Sequence, residues 1–92
     1  MAAMIRTIQG RRFDTDLSTK IGTYHFDPDG SHWWIATLYR TPKSERYFLA
    51  GGGGVMSRWR GEEGIVEITP EEAREWAEEY LDDEVVREHF NA

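Results

Sequence analysis

Residues 32–41, HWWIATLYRT, form a β-type segment without a polar side. Trp33, Ile35 and Tyr39 alternate with Trp34, Ala36 and Leu38, so both faces of the extended chain are apolar. A strand in a half-solvated antiparallel sheet shows polar residues at every second position, and this one does not. Helices on one face alone would leave the other apolar face unpaired. A chain of 92 residues has room for one domain with one modest core, which assigns residues 1–92 to a single domain.

Other elements follow from period and punctuation. MIRTIQ (4–9) alternates as a first strand ended by Gly10. RYFLA (46–50) returns after PKSE as the antiparallel partner of 32–41, and GIVEIT (64–69) reads as a further strand. DPDG at 27–30 is a turn. Leu17, Ile21 and Tyr24 stand at i, i+4 and i+7 behind a capping Asp14 or Thr15, which predicts a short helix over 14–24. The C-terminal helix has the fullest set of signals: Thr69 as cap, Pro70 at the first helical position and Glu72 completing a capping box. Ala73, Trp76, Ala77, Tyr80 and Leu81 make its apolar stripe, which predicts burial of Trp76 and Tyr80. DDEVVREHF adds a second capping acid and a last short helix bearing Val85, Val86 and Phe90. The predicted order is β-α-β-β-β-α. That is an α+β fold, a small antiparallel sheet of three to four strands with helices on one face. The other face of 32–41 then presents an aromatic patch, either covered by the glycine run that follows or awaiting a partner.

That run, in FLAGGGGVMSRWRG (48–61), is not a phosphate loop. No helix signal and no lysine follow Gly51–Gly54. Neither flank is long enough for the run to link two domains. The expectation is a wide turn or bulge between strands, with at least one of the four glycines at positive φ. Arg58, Trp59 and Arg60 would form its tip and are candidate partner contacts, Trp59 as a desolvated anchor.

Catalytic and metal chemistry is poorly provided for. The chain has no cysteine, and no serine stands in a nucleophile elbow. Its acids crowd onto one helix without a distinct acid–base pair, so no enzyme activity is expected. His25, Asp27, Asp29 and His32 lie within eight residues, but turn chemistry accounts for both acids, and no metal or cofactor is expected. No stretch approaches a membrane span, and MAAMIRTIQG lacks a signal-type apolar core. With the absence of cysteine, this fits a cytoplasmic protein.

Charge is the best functional clue. The net charge of −6 divides unevenly: residues 1–60 carry nine Lys/Arg against five acids, and residues 61–92 carry two arginines against twelve acids. On a helix, Glu71, Glu75, Glu78 and Asp82 fall within about 60° of one another, with Glu79 at the shoulder. Like charges at i, i+4 repel by a few tenths of a kcal/mol. An acidic face in excess of what solubility needs points to a protein partner with a basic surface, such as a nucleic-acid-binding groove. Glu71, Glu75, Glu78, Glu79 and Asp82 are its candidate contacts. The alternative is a small nucleic-acid-binding or regulatory module using a basic edge of Arg11, Arg12, Arg46, Arg58 and Arg60.

GRRFDTDLSTKIG, LYRTPKSERYFLAGGGGVMSRW and ITPEEAREWAEEYL together resemble a family of small proteins encoded by phages and mobile elements. The resemblance spans roughly residues 8–82 and lies in turn, hairpin and capping elements. Small acidic proteins of this kind are similar to anti-CRISPR inhibitors. What the resemblance implies is a stoichiometric inhibitor in the bacterial host cytoplasm that binds a CRISPR effector subunit. It brings no catalytic residue.

Overall fold

A computed structural model of the chain describes residues 4–27, 30–42 and 46–90. Six strands are followed by two helices: β1 (Ile5–Ile8), β2 (Arg11–Asp14), β3 (Thr19–Phe26), β4 (Trp34–Arg40), β5 (Tyr47–Gly53), β6 (Glu63–Ile68), α1 (Pro70–Tyr80) and α2 (Asp83–Phe90). β3-β4-β5-β6 form a four-stranded antiparallel meander in sequence order, and β1-β2 form a separate hairpin. The fold class is α+β, as the residue pattern predicts.

Strand register assigns every side chain to a face. Trp34, Ala36 and Leu38 of β4 share one side with Tyr47 and Leu49 of β5 and with Val66 and Ile68 of β6. Both helices cover this front face, packing Ala73, Ala77 and Val86 against Ala36, Leu38, Tyr47, Leu49 and Ile68. On the rear face, Phe48, Ala50 and Ile65 are buried under the hairpin through Phe13, with Met4, Ile8 and Tyr39 alongside. Phe13 meets Phe48 edge-on, ring centroids 5.4 Å apart, and Tyr39 stacks on Phe48 at 5.1 Å. Behind 32–41 the hairpin cluster takes in Tyr39, whereas Trp33 and Ile35 stay exposed, so the predicted aromatic patch is covered only in part.

Local chemistry fixes the covers. The hairpin turns at Gln9 (φ 52°) and Gly10 (φ 78°), the two left-handed residues of a turn whose twist suits adjacent strands. The Arg6 guanidinium donates to the Ile65 carbonyl at 2.6 Å and so occupies part of the β6 edge. At the start of α1, the Glu72 amide donates to the Thr69 hydroxyl (3.1 Å) and the Thr69 amide to the Glu72 carboxylate (2.9 Å), the predicted capping box. Trp76 and Tyr80 sit on the inward side of α1 but are half-buried, not enclosed.

Three further expectations are corrected. Residues 14–24 are not a helix. Asp14 ends β2, its carboxylate accepts from the Asp16 amide (2.9 Å) and its carbonyl from the Ser18 hydroxyl (2.8 Å), and the chain then enters β3. Leu17, assigned to the apolar stripe, is exposed, whereas Ile21 is buried at an irregularity of the β3–β4 register. Asp14 caps a turn here, and the Thr-rich stretch after it prefers an extended chain. The glycine run is not a connection either: Gly51, Gly52 and Gly53 belong to β5, and positive φ among glycines occurs at Gly10, Gly30 and Gly61. These positions lack side chains for want of space. A Cβ on Gly51 would collide with the Ile35 carbonyl oxygen and come within 2.8 Å of the Ala36 Cα. The third correction concerns Trp59 and is described with the site. Of the predicted turns, Pro28–Asp29 and Lys43–Glu45 lie outside the described residues.

Gly51→Ala is expected to destabilise the protein by about 1–3 kcal/mol through overpacking. Gly64→Ala, whose Cβ would meet nothing within 4 Å, is expected to be neutral or to stabilise by up to about 1 kcal/mol. Urea unfolding of the two variants checks the contrast.

Candidate interaction surface

The outer side of α1 carries the predicted acids. Glu71, Glu75, Glu78, Glu79 and Asp82 are all exposed. The segment 70–90 holds nine acids and two arginines, and among the described residues one ion pair lies within it, Arg74–Glu78 at 3.7 Å. The Asp82 carbonyl also accepts the Val85 and Val86 amides, so this residue starts α2 as well. Glu72 has its carboxyl held below the ordinary range, first by the hydrogen bonds with Thr69 and last by the positive charge of Arg58.

Arg58 comes to α1 through the β5–β6 connection. This loop closes on one carbonyl: Gly54 accepts from the Ser57 amide (3.0 Å), the Ser57 hydroxyl (2.7 Å) and the Gly61 amide (3.1 Å). Arg60 (φ 52°) and Gly61 (φ 80°) complete the reversal. The closure turns Trp59 inward. With 7% of its surface exposed, Trp59 belongs to the front core and is not the tip of a loop. The sequence places a large apolar ring between two arginines, and its destination depends on the hydrogen bonds of the neighbouring turn. Among the described residues the indole Nε1 finds no acceptor. Arg58 and Arg60 stay at the surface, and the Arg58 guanidinium lies 5.8 Å from the Trp59 ring centroid, covering it.

Two parts of the predicted contact set are therefore brought together. Arg58, Glu75 and Glu79 line one shallow cleft of about 240 Å³ with Glu72, Trp76 and Tyr80. Glu71 lies beside a different cleft, near Tyr47, Arg74, His89 and Phe90. The proposed basic edge is divided. Arg11, Arg12 and Arg46 line a cleft by the hairpin, whereas Arg58 borders α1 on the front. Arg12 and Arg46 are also paired, with Asp14 at 3.4 Å and Glu67 at 2.9 Å.

Beside the acids lies a feature the residue pattern conceals. Tyr24, Phe26, Trp34, Trp76 and Tyr80 form one aromatic cluster, with centroid separations from 4.8 Å (Tyr24–Tyr80) to 6.4 Å (Trp34–Trp76). Four of the rings are half-buried and Phe26 is exposed. Reading 14–24 as a helix hides Tyr24 and Phe26. Their spacing of two, opposite Trp34 across a turn, is the signal that finds them. The Tyr80 hydroxyl has its pKa raised by burial first, then by Glu79.

Among the described residues no three potential metal ligands come together, and Asp29 is outside that set. No helix among them is long and apolar enough to cross a membrane. Comparison with family models, curated proteins and solved structures finds no match to this chain.

Trp59→Ala is expected to cost about 3–5 kcal/mol of stability, as for a buried aromatic; chemical unfolding with an independent far-UV readout measures it. The depressed Glu72 carboxyl supplies stability that is complete above the ordinary carboxylate range and lost as pH falls through its lowered value. Glu72→Gln should flatten that acid limb of a stability–pH profile.

Proposed function

We propose that the chain is a stoichiometric protein-binding inhibitor that lays the outer side of α1 on a basic, nucleic-acid-binding surface of its partner. The observation that carries this reading is the adjacency of an under-compensated acidic helix face and a half-exposed cluster of five aromatic rings. Acids in this position steer a basic partner and set its register. Large rings at the border of the acidic face supply the desolvated contact that charge alone does not. Glu71, Glu75, Glu78, Glu79 and Asp82 are the charged contacts, with Arg58 at the cleft beside them. Trp59 supports the surface from within. The resemblance of the motifs to small phage proteins makes a CRISPR effector subunit the first partner to examine, in the cytoplasm of a bacterial host. The reading assigns no catalytic role.

A lysate pull-down with mass spectrometry identifies the partner, and recovery of nucleic acid without protein would favour the alternative of a nucleic-acid-binding module. With a partner in hand, Glu71→Lys, Glu75→Lys and Glu78→Lys together should weaken association by at least about tenfold, mainly through the on-rate, and reduce its salt dependence. Phe26→Ala should raise the off-rate and leave the salt slope unchanged. Wild-type affinity in the triple variant would overturn the proposal.

A further inference from the structure

The glycine run has a second consequence, on the face opposite α1. The register places Ile35, Gly52 and Glu63 in one row across β4, β5 and β6. Ile35 lies on the rear side, since Ala36 faces the helices. Gly52 lacks a side chain between two strands that have one, so the row has a floor and two walls about two strand spacings, roughly 9.5 Å, apart. The hairpin covers Phe48, Ala50 and Ile65, and among the described residues ahead of β2 Met4 alone borders this end of the sheet. The result is a groove of about 500 Å³. Trp33 and Ile35, 39% and 40% exposed, form one wall. Glu62 and Glu63 form the other. A Cβ on Gly52 would meet the Glu63 Cγ at 3.0 Å and the Glu62 carbonyl oxygen at 3.1 Å, so the floor is tightly specified. Among the described residues no ion pair involves either glutamate.

We infer that this groove binds the side chain of an arginine presented by a partner polypeptide. An apolar channel with an acidic wall on one side and an indole on the other matches an extended apolar stem that ends in a cation. The flat guanidinium stacks on an aromatic ring and offers a fork of donors to the two oxygens of a carboxylate such as Glu63, which an ammonium does not. The acidic wall disfavours phosphate and carboxylate ligands by like-charge repulsion. The inference is independent of the role proposed for α1, because the two surfaces lie on opposite faces of the sheet.

The test is a titration of the full chain with N-acetyl-arginine amide, followed by backbone and indole NMR shifts. N-acetyl-citrulline amide serves as the neutral isostere. The expected result is a saturable shift at Gly52, Gly61, Glu63 and the Trp33 indole with the arginine probe and none with citrulline. Glu62→Gln with Glu63→Gln, both at exposed positions, should weaken binding by about fivefold. Trp33→Leu should weaken it independently. The Glu71, Glu75, Glu78 triple lysine variant should bind the probe as the wild type does, so a failure of the α1 reading leaves this result untouched. Equal response to citrulline, shifts confined to α1, or wild-type affinity in the double glutamine variant would each overturn the inference.

Discussion

The β4–β5 pair buries side chains on both faces, and the rest of the molecule follows from that requirement. Leu38 and Leu49 are enclosed in front while Phe48 and Ala50 are enclosed behind. A four-stranded meander cannot shield its own faces, and the segments that flank it in sequence do so. The N-terminal hairpin closes one side around the Phe13–Phe48 contact. The C-terminal helices close the other through Ala73, Ala77 and Val86. Small residues at the α1 contact let the helix lie close to the sheet. Among the described residues neither cover reaches the whole sheet: the aromatic cluster borders α1 where the front cover stops, and the Gly52 groove lies where the rear cover stops.

Where a local pattern and the tertiary environment agree, the residues suffice. Thr69, Pro70 and Glu72 determine the start of α1 within one turn of chain, and the structure adds nothing to that account. The alternation in 32–41 likewise specifies a strand with two apolar faces, and Trp33 and Ile35 of the rear one stay exposed. The errors arise where one residue pattern serves two conformations. Asp14 caps a turn as readily as a helix, and Leu17, Ile21 and Tyr24 match a helical stripe by accident of spacing. Glycine is ambiguous in the same way. It marks freedom of φ at Gly10 and Gly61, but at Gly51 it marks a neighbouring backbone that leaves no room for a side chain. Only the register across strands separates these cases.

The candidate surface was half legible for a related reason. Helical geometry alone puts Glu71, Glu75, Glu78 and Asp82 on one side of α1. The inward turn of Trp59 depends on the three donors that converge on the Gly54 carbonyl, and no short-range signal encodes their convergence. The aromatic cluster needs β3 beside β4 before Tyr24, Phe26 and Trp34 become neighbours. The Arg58 cleft needs both the loop and α1. Chemistry carried by one helix is readable from sequence, and chemistry assembled between elements is not.

The physical separation of fold and surface also explains how so acidic a helix can be kept. α1 is held by its capping box and by Ala73 and Ala77, which are fully enclosed against the sheet. None of these contacts involves the outward acids. The repulsion among Glu71, Glu75 and Glu78 amounts to tenths of a kcal/mol per pair and is relieved in part by Arg74, whereas burial of the inner face is worth several times more. Stability therefore sets no demand for this charge pattern, and its sign is free to be fixed by what the surface meets. Arg58 is the point where the two requirements join, since it covers the ring of a core tryptophan and borders Glu72, Glu75 and Glu79 at once. A change there touches core and surface together, while a change at Glu71 or Glu78 reads the surface alone.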